Sequence, residues 1–261
     1  MTVRPKLVLS AVEIPYTAIA RKDVGANVPA LNWRRRLIGA GARLLLPEVC
    51  AGCGLSGNWI CKECAETVRI ADQSQACRRC GHPAGGGLAA CPRCRDWIDA
   101  AFEVRSVYEF SGVLRDSILR MKYRGEYARA EWHGATMARL VSDLGWNPEL
   151  LVPVPLHPNR LRQRGYNQSQ KLAEAAGNAL NIRVVPGLRR IRDTPQQTTL
   201  GVDERRLNVA GAFSPTMSFA GMRVVLVDDV ATTRATLLEC AVACRESGAA
   251  SVRAVTLATD V

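Results

Sequence analysis

The sequence predicts an α/β fold: a mostly parallel sheet with helices on both faces, preceded by a small cysteine-rich module. Three observations predict it. Four Cys-x-x-Cys pairs are confined to residues 50–94, apolar strand-like runs alternate with helical periodicity from residue 101 onward, and one buried-type run, Met222–Val227, is closed by two acids and followed by a helix. With 261 residues, 48% hydrophobic and 23% charged, the chain matches a soluble globular composition and is neither collagen-like, repeat-dominated nor wholly disordered.

Residues 1–32 contain Pro5, Pro15, Gly25 and Pro29 and show no sustained period, so they are expected to be a poorly ordered extension. From Trp33 to Leu46, apolar positions recur near helical spacing beside Arg34, Arg35, Arg36 and Arg43, and Pro47 ends the run. The pattern predicts a basic amphipathic helix over 33–46. Residues 47–97 then hold Cys50/Cys53, Cys61/Cys64, Cys77/Cys80 and Cys91/Cys94, separated by gaps of 7, 12 and 10 residues. Two thiolates two residues apart can both face one tetrahedral Zn²⁺, and two such knuckles close a four-thiolate structural site, so eight ligands predict two zinc sites. The spacing favours pairing neighbours in sequence over interleaving, without deciding between them. Gly52, Gly54 and Gly81 suit the knuckle turns. His82 is a weaker ligand candidate than the eight thiols, and Cys240 and Cys244, one helical turn apart, read as small core residues.

The fourth segment, 98–261, carries the sheet. Strands are expected at Ala101–Phe110, Leu150–Val154, Arg183–Ile191, Met222–Val227 and Ser251–Leu257. Helices are expected at Gly112–Lys122, Tyr127–Leu144, Asn167–Leu180, Asp203–Leu207 and Ala235–Ser247. Strands separated by helices pair in parallel and bind ligands beyond their carboxyl ends.

The net charge of +11 is unevenly placed: residues 1–46 carry 8 basic and 2 acidic groups, and 147–215 carry 10 and 5. Such blocks suit a polyanion or a solvated surface. Aromatics at 5% argue against an extended stacking platform, which favours the solvated surface. The longest apolar stretches, Leu37–Leu46 and Val224–Val227, are far shorter than the ~20 residues of a membrane span. No secretion-type leader pattern is visible, and a cytoplasmic protein is expected.

In the run Val224-Val225-Leu226-Val227-Asp228-Asp229-Val230-Ala231-Thr232-Thr233-Arg234-Ala235-Thr236, two carboxylates follow a buried strand, and hydroxyls lead into a helix start. Carboxylates accept from vicinal hydroxyls, and amides at a helix N-terminus receive phosphate; the same pattern also suits an ordinary acidic turn with a helix cap. The stretch resembles the signature of type I phosphoribosyltransferases. Together with the cysteine module, with Met121-Lys122-Tyr123-Arg124-Gly125, with Val152-Pro153-Val154-Pro155-Leu156-His157, with Arg164-Gly165-Tyr166-Asn167-Gln168 and with Gly211-Ala212-Phe213, it is similar to the ComF family over residues 47–258. Arg192, Thr194, Gln197, Leu200, Arg205 and Asn208 stand in family-like order.

The resemblance implies a type I phosphoribosyltransferase-like domain over 98–261 and a reaction at the anomeric carbon of 5-phosphoribosyl diphosphate with Mg²⁺, linked to DNA uptake. It further implies that Asp228 and Asp229 receive the ribose hydroxyls, that Ala231, Thr232, Thr233, Arg234, Ala235 and Thr236 cradle the 5-phosphate, and that Pro155, Leu156 and His157 meet the diphosphate. Lys122, Arg164 and Arg192 are its candidate counter-charges. A non-catalytic factor binding single-stranded DNA on the same scaffold is the alternative. Two positions depart from the family pattern. Arg234 replaces the loop glycine, and either its Cβ opposes a positive φ and close phosphate approach or its guanidinium adds a phosphate ligand. Thr232 stands where purine-salvage relatives carry an aspartate base, which disfavours a purine-salvage substrate.

Overall fold

The computed structural model describes residues 48–85, 89–95, 97, 101–192 and 209–260. The expected extension 1–32, the helix 33–46, the short helix Asp203–Leu207 and the positions Thr194, Gln197, Leu200, Arg205 and Asn208 lie outside the described residues. The chain divides into two compact units, Met1–Thr67 and Val68–Val261. This boundary falls inside the 47–97 segment, so the first cysteine set stands in one unit and the second in the other.

In the smaller unit, a bridge pairs Val49 with Ser56, and the short helix α1 (Lys62–Ala65) follows Cys61. In the larger unit, strands β1 (Glu103–Glu109), β2 (Leu150–Pro153), β3 (Arg183–Val184), β6 (Arg223–Ala231) and β7 (Ser251–Thr259) form a parallel sheet in the order β1-β7-β6-β2-β3. Apolar residues populate both faces, as a fully covered parallel sheet requires. Leu150, Val152, Val224 and Leu226 enter one core, and Leu151, Val225 and Val227 enter the other.

Helices α2 (Gly112–Tyr123), α3 (Arg129–Asp143) and α5 (Gln168–Leu180) bury Leu114, Ile118, Met121, Met137, Val141 and Leu172 in the second core. The first core is covered differently. Helix α6 (Ala235–Glu246) supplies Leu237, Cys240, Ala241 and Cys244, and the second cysteine set, with Trp97 and Phe102, packs into the same cluster. Cys240 and Cys244 are therefore core residues, as expected.

Three elements differ from the sequence expectation. The segment after β2 contains a further helix, α4 (Pro158–Arg164), started by Pro158 and the His157 side chain and stopped by Gly165 at φ 77°. It buries none of its residues, so it lacks the apolar period by which helices are recognised. The expected strand Arg183–Ile191 is split at Pro186-Gly187: β3 joins the main sheet, and β4 (Leu188–Arg190) pairs antiparallel with β5 (Phe213–Pro215). Finally, β6 does not stop at Val227. Its ladder with β7 continues through Asp228↔Thr256 to Ala231↔Thr259, while its ladder with β2 ends at Pro153↔Val227.

Candidate functional site

That unequal ending creates the site. Beyond Val227, β6 keeps a neighbour on one side only, and the chain leaves β2 and β6 in opposite directions, the switch point where doubly wound sheets open a crevice. Asp228 and Asp229 occupy this stretch within the strand, and Thr232, Thr233 and Arg234 turn the chain into α6. A cleft there is lined by Asp228, Val230, Ala231, Thr232, Thr233, Arg234, Thr236 and Leu237.

The two carboxylates have different partners. Asp228 Oδ1 accepts from Ser169 Oγ at 2.7 Å, at the start of α5, and from the Asp229 amide at 2.9 Å. Burial, then the neighbouring Asp229 charge, pushes the Asp228 carboxyl up to about 7. Asp229 is almost fully buried, and its Oδ1 meets Lys122 Nζ, from α2, at 2.7 Å. Its Oδ2 is buried with no hydrogen-bond partner among the described residues. A buried acceptor without a partner, next in sequence to the cleft-lining Asp228, suits a ligand hydroxyl or a hydrated cation, because burial without a partner otherwise costs about 1–3 kcal/mol.

Arg234 combines a positive φ with a side chain turned back into the protein. Its backbone adopts φ 62°, a left-handed conformation costing a residue with a Cβ roughly 1–2 kcal/mol, so replacing glycine did not abolish that geometry. Its guanidinium, 3% exposed, donates from Nε to the Cys80 carbonyl at 2.9 Å, from one terminal nitrogen to the Thr232 carbonyl, and from the other to Thr259 Oγ1 at 2.6 Å. All three nitrogens are engaged within the protein.

The remaining candidates separate into two groups. Pro155, Leu156 and His157 connect β2 to α4, and His157 Nδ1 accepts from the Asn159 amide at 3.3 Å. This connection is held by Val154 N–H donating to the Val227 carbonyl at 3.0 Å and by Asn167 Nδ2 donating to the Val154 carbonyl at 2.9 Å. Arg164 donates to Gln168 Oε1 at 2.9 Å and stacks over the Tyr123 ring at 4.9 Å, next in sequence to Lys122. Arg192 stands exposed just past β4, where its carbonyl accepts from Arg190 Nε at 3.3 Å. Ser169, Asn167 and Thr259 were not anticipated as site residues, and Cys80 was anticipated only as a metal ligand. The first two follow an Asn-x-Ser helix-cap signal in the sequence, but Cys80 and Thr259 act through a carbonyl and a hydroxyl that no local pattern marks.

The eight paired cysteines form two clusters, Cys50/Cys53/Cys61/Cys64 and Cys77/Cys80/Cys91/Cys94, with all ligand atoms of each within 4.8 Å of one another. Pairing is thus between neighbours in sequence, and His82 belongs to neither cluster. Sulfur separations of 3.6 Å for Cys53–Cys61, 3.6 Å for Cys77–Cys94 and 3.5 Å for Cys80–Cys91 approach the ~3.8 Å edge of a tetrahedral zinc–thiolate site. All ten cysteines are free thiols. Four convergent sulfurs in each cluster fit structural Zn²⁺ in donor type and number.

Comparison with known proteins agrees with the two four-cysteine sites. A family model described as a double zinc ribbon domain matches residues 41–95. The "DNA utilization protein YhgH" of Salmonella typhi is 32% identical over 224 residues, covering 80% of this chain and 96% of that protein. "Competence protein F" of Haemophilus influenzae and "Competence protein ComFC" of Bacillus subtilis are 29% and 28% identical, each over 76% of this chain and over 90% and 83% of their own lengths.

The chain belongs to the ComF family.

Two solved structures, the glutamine phosphoribosylpyrophosphate amidotransferase of Bacillus subtilis and TT1426 of Thermus thermophilus, overlap this ComF protein over 50% and 48% of its length. They cover 26% and 72% of their own chains at 19% and 16% identity, with TM-scores of 0.34 and 0.31, too slight a likeness to carry an argument. The fold described here is a parallel α/β domain that carries one four-cysteine site and a smaller unit that carries the other. Among its described residues, no helix is long and apolar enough to cross a membrane.

Proposed function

We propose that this ComF-family protein binds 5-phosphoribosyl diphosphate with Mg²⁺ at the C-terminal end of β6, transfers phosphoribose to or from a nitrogen acceptor, and serves DNA uptake or use. The observation that carries the reading is the buried pair Asp228–Asp229 with one carboxylate oxygen unpartnered, placed just before the N-terminus of a twelve-residue helix. Asp228 and Asp229 hold the ribose hydroxyls, directly or through the cation and its water. The amides from Thr233 to Thr236, among them first-turn groups of α6 that lack intrahelical acceptors, and the threonine hydroxyls receive the 5-phosphate. Pro155–His157 forms the facing wall for the diphosphate, and Lys122 and Arg164 provide positive charge beside it. Mg²⁺, when bound, neutralises charge on the departing diphosphate. The protein's own part is to fix the ribose and to exclude water around its anomeric carbon, so rate acceleration comes from positioning and electrostatics. The names of the relatives support the link to DNA.

Isothermal titration with phosphoribosyl diphosphate and Mg²⁺ tests this. Saturable binding by the wild type that disappears in the Asp228→Asn/Asp229→Asn double variant is the expected result. Equal binding by both proteins, or none by the wild type, rejects it.

A second reading, a surface for single-stranded nucleic acid, is favoured by one observation: the exposed Tyr123 ring carries Arg164 over its face, close to exposed Tyr127 and a basic α4. Fluorescence anisotropy against an oligonucleotide should then show a steep salt dependence that shrinks when Arg160, Arg162 and Arg164 are neutralised together. A salt-independent signal rejects that reading.

A further inference from the structure

We propose that Arg234 is a positioning residue that couples the second four-cysteine site to the phosphate loop. Metal held by Cys77, Cys80, Cys91 and Cys94 and sugar phosphate held at Thr232–Thr236 then stabilise one another. The inference rests on the sugar-phosphate reading of the cleft.

The physical chain is short. Arg234 is the one residue of the β6–α6 turn with a left-handed backbone, and a side chain with a Cβ adopts that conformation only where its surroundings impose it. The imposing contacts are those of its guanidinium, which bridges the Thr232 carbonyl within the loop, Thr259 on β7 and the Cys80 carbonyl 154 residues earlier. Cys80 is one of the four cysteines that would hold metal in the second site, so a bound metal would restrain its sulfur and, through it, its carbonyl. The knuckle around it is seated on β1. The Gly81 amide donates to the Cys77 carbonyl at 2.9 Å, and the Val104 amide donates to the Arg79 carbonyl at 2.8 Å. Gly81 lies so close that an added Cβ would stand 2.5 Å from the Val104 carbonyl oxygen. The buried Arg79 guanidinium ties the Cys94 carbonyl to that of Trp97. These contacts and the four thiolates together place Cys80, so metal loss loosens the acceptor that holds Arg234 and the loop loses its shape. Coupling between two binding equilibria is reciprocal, so a ligand that holds the loop must also raise the affinity for metal.

The test uses the full zinc-loaded chain in Mg²⁺ buffer, with a chromogenic chelator competing for zinc at equilibrium and phosphoribosyl diphosphate as the probe. In the wild type, the ligand should raise the affinity for one of the two zinc ions about tenfold, within the usual range for coupled sites. Arg234→Gly removes the guanidinium while relieving the backbone. It should hold that zinc more weakly without ligand and lose the ligand's effect, and Arg234→Lys, which returns one donor, should recover part of it. A cobalt-substituted wild type should change its visible thiolate–cobalt spectrum on adding the probe, a response absent from Arg234→Gly. A wild type that binds the probe in the calorimeter, yet holds both zinc ions equally tightly with and without it, overturns the coupling alone. Arg234→Gly with wild-type zinc affinity and an intact ligand effect overturns it as well. A wild type that binds no probe overturns the reading of the cleft and the coupling with it, and calorimetry distinguishes that failure from the others.

Discussion

Asp228 makes the pH dependence of the site a property of one carboxyl group. Its value is about 3.9 in an unfolded chain, and the fold raises it to about 7 by burial and by the adjacent Asp229. A raised value favours the neutral form, so the stability it contributes is complete below about pH 4 and is lost as pH rises through about 7. In Mg²⁺-free buffer without ligand, Tm of the wild type should therefore fall from pH 5 to pH 8 relative to Asp228→Asn, and equal slopes in thermal melts would contradict this. Binding of a hydroxylated ligand with its cation uses the ionised form, so it should tighten over the same range and release a proton. Calorimetry in buffers of different ionisation heat measures that proton. Ser169→Ala removes the hydroxyl that favours the ionised carboxylate and should move the midpoint of binding to higher pH. Lys122→Met leaves Asp229 buried without its counter-charge. Breaking a buried ion pair from one side costs about 3 kcal/mol or more, which urea unfolding should register.

At the scale of elements, the close pairing of α3 with α5 depends on a missing side chain. A Cβ on Gly134 would stand 2.4 Å from the Ala175 Cβ and 2.8 Å from the Leu172 carbonyl oxygen. Gly134→Ala gains up to about 1 kcal/mol in helix propensity and loses about 1–3 kcal/mol to overpacking against backbone, so a net fall in Tm is expected. A stabilised variant would show that the helices yield. The principal strands and helices were legible because their apolar spacing is local. Helix α4 was not, since it buries nothing and is specified only by Pro158 and Gly165. The end of β6 was misplaced for the opposite reason. Two acids read locally as a terminator, but β7 supplies ladder partners as far as Ala231 and overrides the local signal.

For the whole molecule, the consequential finding is that the two zinc sites belong to different compact units. The ligands of the first lie in the smaller unit, whereas those of the second are core residues of the sheet domain beside Phe102, Leu237 and Cys240. Metal loss should therefore have unequal effects. Cys77→Ser should lower the main thermal transition of the sheet domain by several degrees or abolish it, and Cys61→Ser should leave that transition nearly unchanged, as followed by circular dichroism. Equal effects of the two substitutions would mean that the sites serve one cooperative unit.

The sequence by itself determined the class of fold, the composition of both metal sites and the acid pair with its threonines, because each is written in spacing over a few residues. Only the tertiary structure decided what those groups face: Ser169 on Asp228 across 59 residues, Lys122 on Asp229, and Arg234 turned toward Cys80 across 154. Such contacts depend on which strands become neighbours and how far each ladder runs. That outcome follows from burying both faces of the sheet together, and no local run of residues encodes it.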